Sequence, residues 1–314
     1  MRVLFWGTPE FATPTLRGLI GEGFDVVGVI TQPDRAVGRS RSKLEPSPVK
    51  QIAEREGIPV LQPERPRGDA FRDQLSALAP DVSVVVAYGH ILSDEMIALP
   101  LHGTLNIHAS LLPALRGAAP IQAAIRDGLT ETGVSVMRVV RALDAGPVLL
   151  RATTPIYDDE TAGELTLRLS EMGAAAIIEA LALLGLGAAR EQPQDDAHAT
   201  YAAKIVRGMS RVDWRTDAVI VSRLIRAYDP KPGAYASLDG AEVKLFGARA
   251  DAGPHGAPGE VLAVSDDGLL VACGDGSVRV ASVQPAGKRR LSPLDWQRGR
   301  GISVGRRFEA ITAD

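Results

Sequence analysis

The chain is poor in cysteine: Cys273 is the one thiol in 314 residues. A lone thiol closes no intramolecular disulfide and builds no cysteine metal cluster, which excludes a disulfide-stapled secreted fold and points to a reducing, cytoplasmic setting. Long apolar runs are missing as well. The opening run Met1-Arg2-Val3-Leu4-Phe5-Trp6 stops at Gly7 without a signal-peptide pattern, and no later stretch is long enough to span a bilayer, so no membrane association is expected. Excess charge is scarce: 35 Lys and Arg against 38 Asp and Glu leave a net charge of −3. That excludes a generic polyanion binder and confines any nucleic-acid contact to local patches.

Phosphate-cradling and metal-binding signatures are absent too. Gly7-Thr8-Pro9-Glu10 follows the first expected strand but is no Gly-x-Gly-x-x-Gly fingerprint, and no Gly-x-x-x-x-Gly-Lys-Ser/Thr occurs, so neither a dinucleotide nor a nucleoside triphosphate is the expected cofactor. His102, His198 and His255 have no partner at metal-ligand spacing, and no metal is expected. The nucleophile-elbow pattern Gly-x-Ser-x-Gly is absent around Ser110, which reads as a loop hydroxyl.

What is present is a normal globular balance, 45% hydrophobic and 23% charged, with enough chain for one large or two ordinary domains. In the first half, short β-rich runs (3–6, 26–31, 82–87, 105–108) alternate with amphipathic stretches (11–21, 48–56, 120–127), the pattern of a mostly parallel sheet with crossover helices. Runs at 134–139 and 148–156 add two strands, read as an antiparallel extension. A helical pattern over 161–184 ends at Gly185-Leu186-Gly187. The polar, Pro193-containing stretch that follows reads as an interdomain linker. Beyond it come one helix (218–228) and short β runs separated by Asp-Gly and Gly-Asp-Gly turns, a small antiparallel barrel or sandwich. The expected domains are therefore 1–189, a linker 190–207, and 208–314.

Between Gly103 and Gly117 the chain reads Gly-Thr-Leu-Asn-Ile-His-Ala-Ser-Leu-Leu-Pro-Ala-Leu-Arg-Gly. Strand side chains alternate faces, so Asn106 and His108 share one side, where an amide donor and an imidazole suit chemistry on a carbonyl group. Asp144, in Arg141-Ala142-Leu143-Asp144-Ala145-Gly146-Pro147, is the candidate acidic partner. In an open α/β sheet, ligands bind beyond the carboxyl ends of the strands, where Tyr88-Gly89 and the Asn106-Ile107-His108 segment fall. His90 follows Tyr88-Gly89 and lines a site without reacting. A solitary histidine is more often structural than catalytic; for His108 the surrounding motif decides.

These motifs carry a resemblance. Asn106-Ile107-His108, Ser110-Leu111-Leu112-Pro113, Arg116-Gly117-Ala118-Ala119-Pro120-Ile121-Gln122 and Leu143-Asp144 resemble the folate-dependent formyltransferases, more narrowly the branch acting on methionyl initiator tRNA. The likeness runs almost end to end, through Gly7-Thr8-Pro9-Glu10-Phe11, Thr31-Gln32-Pro33-Asp34-Arg35, Pro46-Ser47-Pro48-Val49-Lys50, Val85-Val86-Ala87-Tyr88-Gly89 and Gln284-Pro285-Ala286-Gly287-Lys288.

The resemblance implies an α/β Rossmann-like, mostly parallel formyltransferase domain followed by a smaller OB-like β-barrel. It implies 10-formyltetrahydrofolate as co-substrate, aminoacylated initiator tRNA as partner, and direct attack of the α-amine on the formyl carbon. Asn106 is expected to donate to the oxyanion, His108 to stabilise it and move a proton, and Asp144 to support the imidazolium. Folate contacts fall on Val86, Tyr88, Gly89, Ile91, Leu92, Ser110, Leu111, Leu112 and Pro113, with core packing the alternative for Ile91 and Leu92. The long basic segment 32–47 implies a tRNA grip by Arg39, Arg41 and Lys43, and Lys204, Lys288 and Arg289 extend that surface; a solvated charged face is the alternative reading of such clusters.

The sequence also departs from the family pattern. Leu-Pro-Arg-Trp-Arg-Gly is Leu-Pro-Ala-Leu-Arg-Gly here, through Ala114 and Leu115, and Gly-Leu-Asp-Thr-Gly is Ala142-Leu143-Asp144-Ala145-Gly146. Formylation of an amino-sugar nucleotide and a noncatalytic RNA-binding role are the competing readings, opposed by the basic loop with a full C-terminal part and by the intact Asn106, His108 and Asp144. A monomer is expected, since two linked domains clasp one tRNA without a second copy.

Overall fold

The structure, a computed structural model, describes residues 1–37 and 43–309. Its contacts divide the chain into two compact units: Met1–Gly117 with Thr132–Thr154 and Thr166–Ala202, and Ala118–Glu131 with Pro155–Leu165 and the chain from Ala203 onward.

In order, the regular elements up to the middle of the chain are β1 (Arg2–Gly7), α1 (Thr13–Gly21), β2 (Asp25–Ile30), β3 (Arg35–Val37), β4 (Lys43–Glu45), α2 (Pro48–Arg55), β5 (Val60–Leu61), α3 (Asp69–Ala77), β6 (Val82–Val86), α4 (Asp94–Ala98), β7 (Thr104–His108), β8 (Arg116–Gly117), α5 (Pro120–Arg126), β9 (Glu131–Arg138) and β10 (Val148–Pro155). There follow α6 (Ala162–Gly185), β11 (Tyr201–Ala202), α7 (Ala218–Ala227), β12 (Ala234–Leu238), β13 (Ala241–Asp251), β14 (Val261–Ser265), β15 (Gly268–Ala272), β16 (Ser277–Pro285) and α8 (Pro293–Arg298).

The first unit is built on a seven-stranded sheet in the order β10-β9-β7-β6-β1-β2-β5. Strands β1, β2, β5, β6 and β7 pair in parallel, and β9 runs antiparallel to β7. Parallel strands covered on both faces need continuous apolar runs, and Val3 to Trp6 and Val82 to Val86 are such runs, buried throughout. Helix α2 starts where the sequence signals it: Ser47 accepts the Lys50 amide as N-cap and Pro48 fills the first turn. The basic segment after Gln32 enters and leaves through an antiparallel pair, β3 with β4. Arg39 and Arg41 lie outside the described residues, and for Lys43 the description covers the backbone alone.

Beyond Glu191 the chain is no free linker. Gln192 and Val148 exchange two backbone hydrogen bonds of 2.9 Å, Arg116 N donates to Thr200 O, and β11 pairs in parallel with β8. The polar composition that suggests a linker supplies these bonds instead, so residues up to Ala202 strap the first unit.

The second unit holds a five-stranded antiparallel sheet in the order β12-β13-β16-β15-β14, a Greek-key arrangement with β12 and β14 at its edges. Helix α7 buries Val221 and Ile225 in the same core as Leu245, Val271 and Val280, where Trp214 stacks on Phe308 at 5.3 Å between ring centroids. Residues 118–131 and 155–165, expected in the catalytic domain, cluster with this unit. The reason is packing: α5 lies against α7, Arg226 donates to the Glu160 carbonyl at 2.9 Å, and the Gly163 amide donates to Asp229 O at 2.9 Å.

Candidate active site

Strand β7 delivers two polar side chains at its carboxyl end. Asn106 is paired in register with Val85 on β6 and Met137 on β9, and His108 with Ser135. The loop that follows is fixed by its own hydrogen bonds. Ser110 Oγ donates to Ala114 O at 2.6 Å, Ser135 Oγ donates to Ser110 O at 2.7 Å while accepting the Leu112 amide at 3.0 Å, and Arg151 Nε donates to Leu112 O at 2.9 Å.

This loop brings the Leu115 carbonyl within 2.9 Å of His108 Nε2. A carbonyl oxygen only accepts, so Nε2 carries the proton and Nδ1 is the one nitrogen where a proton can come or go. Asp144 Oδ2 stands 3.6 Å from that Nδ1 and accepts the Gly117 amide at 2.8 Å. The three candidates therefore converge in the first unit, from β7 and from the loop after β9. Asp144 has φ of 50° and Leu115 φ of 57°, left-handed backbone that is uncommon outside glycine and concentrates at functional sites.

Beside them lies a cavity of about 160 Å³. Asn106 and Asp144 line it together with Val85, Leu92, Ile97, Met137 and Val139, while Ile91, Leu143, His90 and Arg141 stand at its rim. Ile91 is 86% and Leu143 62% exposed. Asn106 makes no side-chain hydrogen bond among the described residues, which leaves its amide free for a ligand. The arrangement is a largely apolar cavity whose lining carries an amide donor and a carboxylate, with a buried imidazole 3.6 Å from the carboxylate, suited to stabilising an oxyanion and moving a proton.

Of the residues named for folate, Ile91 and Leu92 line the cavity and the others do not. Val86 is buried inside β6. The Tyr88 ring packs in the core against Trp6 at 5.3 Å, where burial pushes its hydroxyl up to about 12; its carbonyl accepts Thr8 Oγ1 at 3.1 Å and Gln32 Nε2 at 3.0 Å, and so pins the turn at Gly89. Ser110, Leu111, Leu112 and Pro113 shape the loop that positions Leu115 O. Met137 went unnoticed in the sequence because only the β7–β9 register places it beside Asn106.

In the second unit Lys204, Lys288 and Arg289 are exposed, and none makes a side-chain bond among the described residues. Arg290 is occupied: it stacks over Phe246 at 4.3 Å and donates to Ser282 Oγ at 2.6 Å. Arg306 and Arg307 are likewise engaged, by Gly301 O with Asp239 and by Pro258 O.

The formyl transferase family model matches residues 1–181, and the formyl transferase C-terminal domain model matches residues 204–301. A methionyl-tRNA formyltransferase of Aromatoleum aromaticum is 49% identical over 310 residues, covering 99% of this chain and 98% of the relative. One from Magnetococcus marinus is 47% identical over 307 residues, covering 98% of each. Among solved structures, HypX from Aquifex aeolicus in complex with tetrahydrofolic acid has the same fold at TM-score 0.66 and 23% identity, over 94% of this chain and 46% of that one. With both domain models matched in order and near-full-length relatives close to half identical, the chain belongs to the methionyl-tRNA formyltransferase family.

Proposed function

We propose that the chain transfers the formyl group of 10-formyltetrahydrofolate to the α-amine of methionine esterified to initiator tRNA, the formylation that supports translation initiation. The observation that carries the chemistry is that Asn106 and Asp144 line the same largely apolar cavity, with His108 Nδ1 facing the carboxylate. A flat heterocycle suits apolar walls, and a cavity of about 160 Å³ takes the heterocyclic end of a folate while the rest leaves past Ile91 and Leu143.

The amine nitrogen adds to the formyl carbon and the carbonyl oxygen becomes an oxyanion. Asn106 Nδ2 donates to that oxyanion, an interaction worth about 2.7–4 kcal/mol of barrier. As the tetrahedral centre collapses, the bond from carbon to N10 breaks, N10 takes up a proton, and the new amide has lost one. Asp144 and His108 Nδ1 carry that proton between the two nitrogens, so the step balances without a covalent enzyme intermediate.

In this reading residues 1–189 do the chemistry, and the C-terminal part 208–314, with Lys288 and Arg289 exposed, holds the tRNA together with the exposed Lys204 just before it. Arg39, Arg41 and Lys43 grip the acceptor end, and the protein works as a cytoplasmic monomer. Among the described residues no helix is long and apolar enough to cross a membrane.

The test is purified protein with 10-formyltetrahydrofolate and either methionyl initiator tRNA or amino-sugar nucleotides. Formyl-methionyl-tRNA is the expected product, and Asn106→Ala lowers its kcat by about 10²–10³ while tRNA binding persists. Product from the sugar nucleotide alone overturns the reading.

A further inference from the structure

We propose that Gln194 is a positioning residue for Asp144: its amide holds the 142–146 loop so that the carboxylate meets the Gly117 amide and His108 Nδ1. This inference rests on the formyl-transfer reading above.

The geometry begins with a buried cation. Arg116 is 3% exposed, and it donates to Gln194 Oε1 from Nε at 3.0 Å and from Nη2 at 2.8 Å, with a second bond from Nη2 to Asp196 at 2.7 Å. The amide of Gln194 is thereby fixed in one orientation. Its Nε2 points the other way and donates to two carbonyl oxygens, Asp144 O at 2.8 Å and Gly146 O at 2.7 Å. Both N–H groups and the oxygen are used. Two carbonyls need two donors and a guanidinium needs an acceptor, and among side chains of this length only a carboxamide offers both.

The object held is unusual. Asp144 has φ of 50°, a conformation that costs a non-glycine residue of order 1–3 kcal/mol and persists where its surroundings impose it. Gln194 bonds the Asp144 carbonyl directly, so it reads the peptide orientation that sets where Cβ and the carboxylate point. The carboxylate then has two partners in reach, Gly117 N at 2.8 Å and His108 Nδ1 at 3.6 Å. Arg116 and Gly117 are neighbours, so β8 supplies one anchor to Gln194 and the other to Asp144 itself. Gln194 makes no hydrogen bond to His108 among the described residues, and it meets the cavity lining only at the backbone carbonyl of Asp144.

Two variants separate this role from simple anchoring of the strap. Gln194→Ala removes both halves of the amide. Gln194→Glu keeps an acceptor for Arg116, strengthened by charge, but sets a carboxylate oxygen against the two carbonyls. If Gln194 serves only to hold the strap through Arg116, Q194E behaves as wild type. The positioning role expects Q194E to fold and to keep its KM for 10-formyltetrahydrofolate while kcat falls on the order of 10²-fold, the effect of misplacing a catalytic group.

A readout without turnover accompanies the kinetics: the imidazole nitrogen signals of His108, followed by NMR through a pH titration, move in Q194E because the carboxylate facing Nδ1 has turned away. A wild-type kcat in Q194E, or His108 signals that stay in place, overturns the proposal. Wild-type protein that makes no formyl-methionyl-tRNA counts against the functional reading instead, and the His108 signals still decide the positioning role.

Discussion

His108 gives its Nε2–H to the carbonyl oxygen of Leu115, 2.9 Å away, and the ring is thereby oriented with Nδ1 toward Asp144. One bond of this kind does two jobs: it satisfies a carbonyl in a buried loop and leaves Nδ1 as the nitrogen open to proton exchange.

Two substitutions at His108 pull those jobs apart. A glutamine amide reaches about as far as Nε2 and still donates to Leu115 O, but it offers nothing at the Nδ1 position. His108→Gln is expected to melt near the wild-type temperature and to lose about 10²–10⁴ of the rate, the usual share of a general acid–base group. His108→Ala loses the rate and also leaves Leu115 O unpaired, a further cost of about 1–3 kcal/mol in stability. Melting curves beside formylation rates check both; equal stability of the two variants contradicts the assignment of Nε2 as structural.

Gly117 is the second constrained position. Its φ is 116°, and a Cβ there lies 2.6 Å from Ala202 O on the paired strand. Gly117→Ala must therefore shift the backbone amide that Asp144 accepts, and separate β8 from β11. The expected outcome is a loss of activity larger than the loss of stability, because the carboxylate loses a 2.8 Å bond while the seven-stranded sheet is untouched. Parallel measurement of melting temperature and kcat decides; an active, stable alanine variant contradicts the anchoring role of the Gly117 amide.

The sequence made the catalytic half legible to different depths. Buried parallel strands announce themselves as apolar runs, and the two-residue spacing of Asn106 and His108 on β7 follows from strand alternation alone. Asp144 was found from the Leu143-Asp144 motif just ahead of an expected strand, although nothing local shows that it adopts left-handed backbone. Helix α3 was missed because its apolar face is short and thin: Leu75 is buried, while Phe71, against the edge of Trp6, and Leu78 are only half-buried. Gln194 and Arg116, 78 residues apart, were out of reach: a polar stretch with a proline looks the same whether it floats between domains or bonds to an active-site loop. The cavity wall was likewise hidden, since Met137 meets Asn106 only through antiparallel pairing of β9 on β7.

Charge on the second unit makes a prediction about salt. Lys288 and Arg289 are exposed without side-chain partners among the described residues, whereas Arg290, nearby in sequence, is held by Phe246 and Ser282. Removing a cation that contacts phosphate lowers the slope of log affinity against log salt by about one per contact. Lys288→Ala and Arg289→Ala are each expected to weaken tRNA binding with such a reduced slope and an unchanged kcat at saturating tRNA. Titrations across a salt series test this, and unaltered slopes exclude these side chains from the tRNA surface.

Cys273 lies in the core of the second unit with Val271 and Val278. Burial, with a smaller contribution from the Asp217 carboxylate, pushes its thiol up to about 12. The thiolate is the reactive form, so the native protein is expected to resist alkylation at pH 8 and to label quickly once denatured. Stability follows with a definite sign. In the unfolded chain the thiol ionises near about 8.5, while in the folded chain it stays protonated to about 12. The unfolded state therefore binds fewer protons between those values, and the folded state loses about 1.4 kcal/mol of relative stability per pH unit there. Below the unfolded value the contribution is complete and flat. Comparing denaturant midpoints of wild type and Cys273→Ala from pH 7 to pH 10 isolates this contribution from other groups: the difference between the two proteins is constant up to about pH 8.5 and then moves in favour of the alanine variant. A difference that stays constant to pH 10 contradicts the buried, neutral thiol.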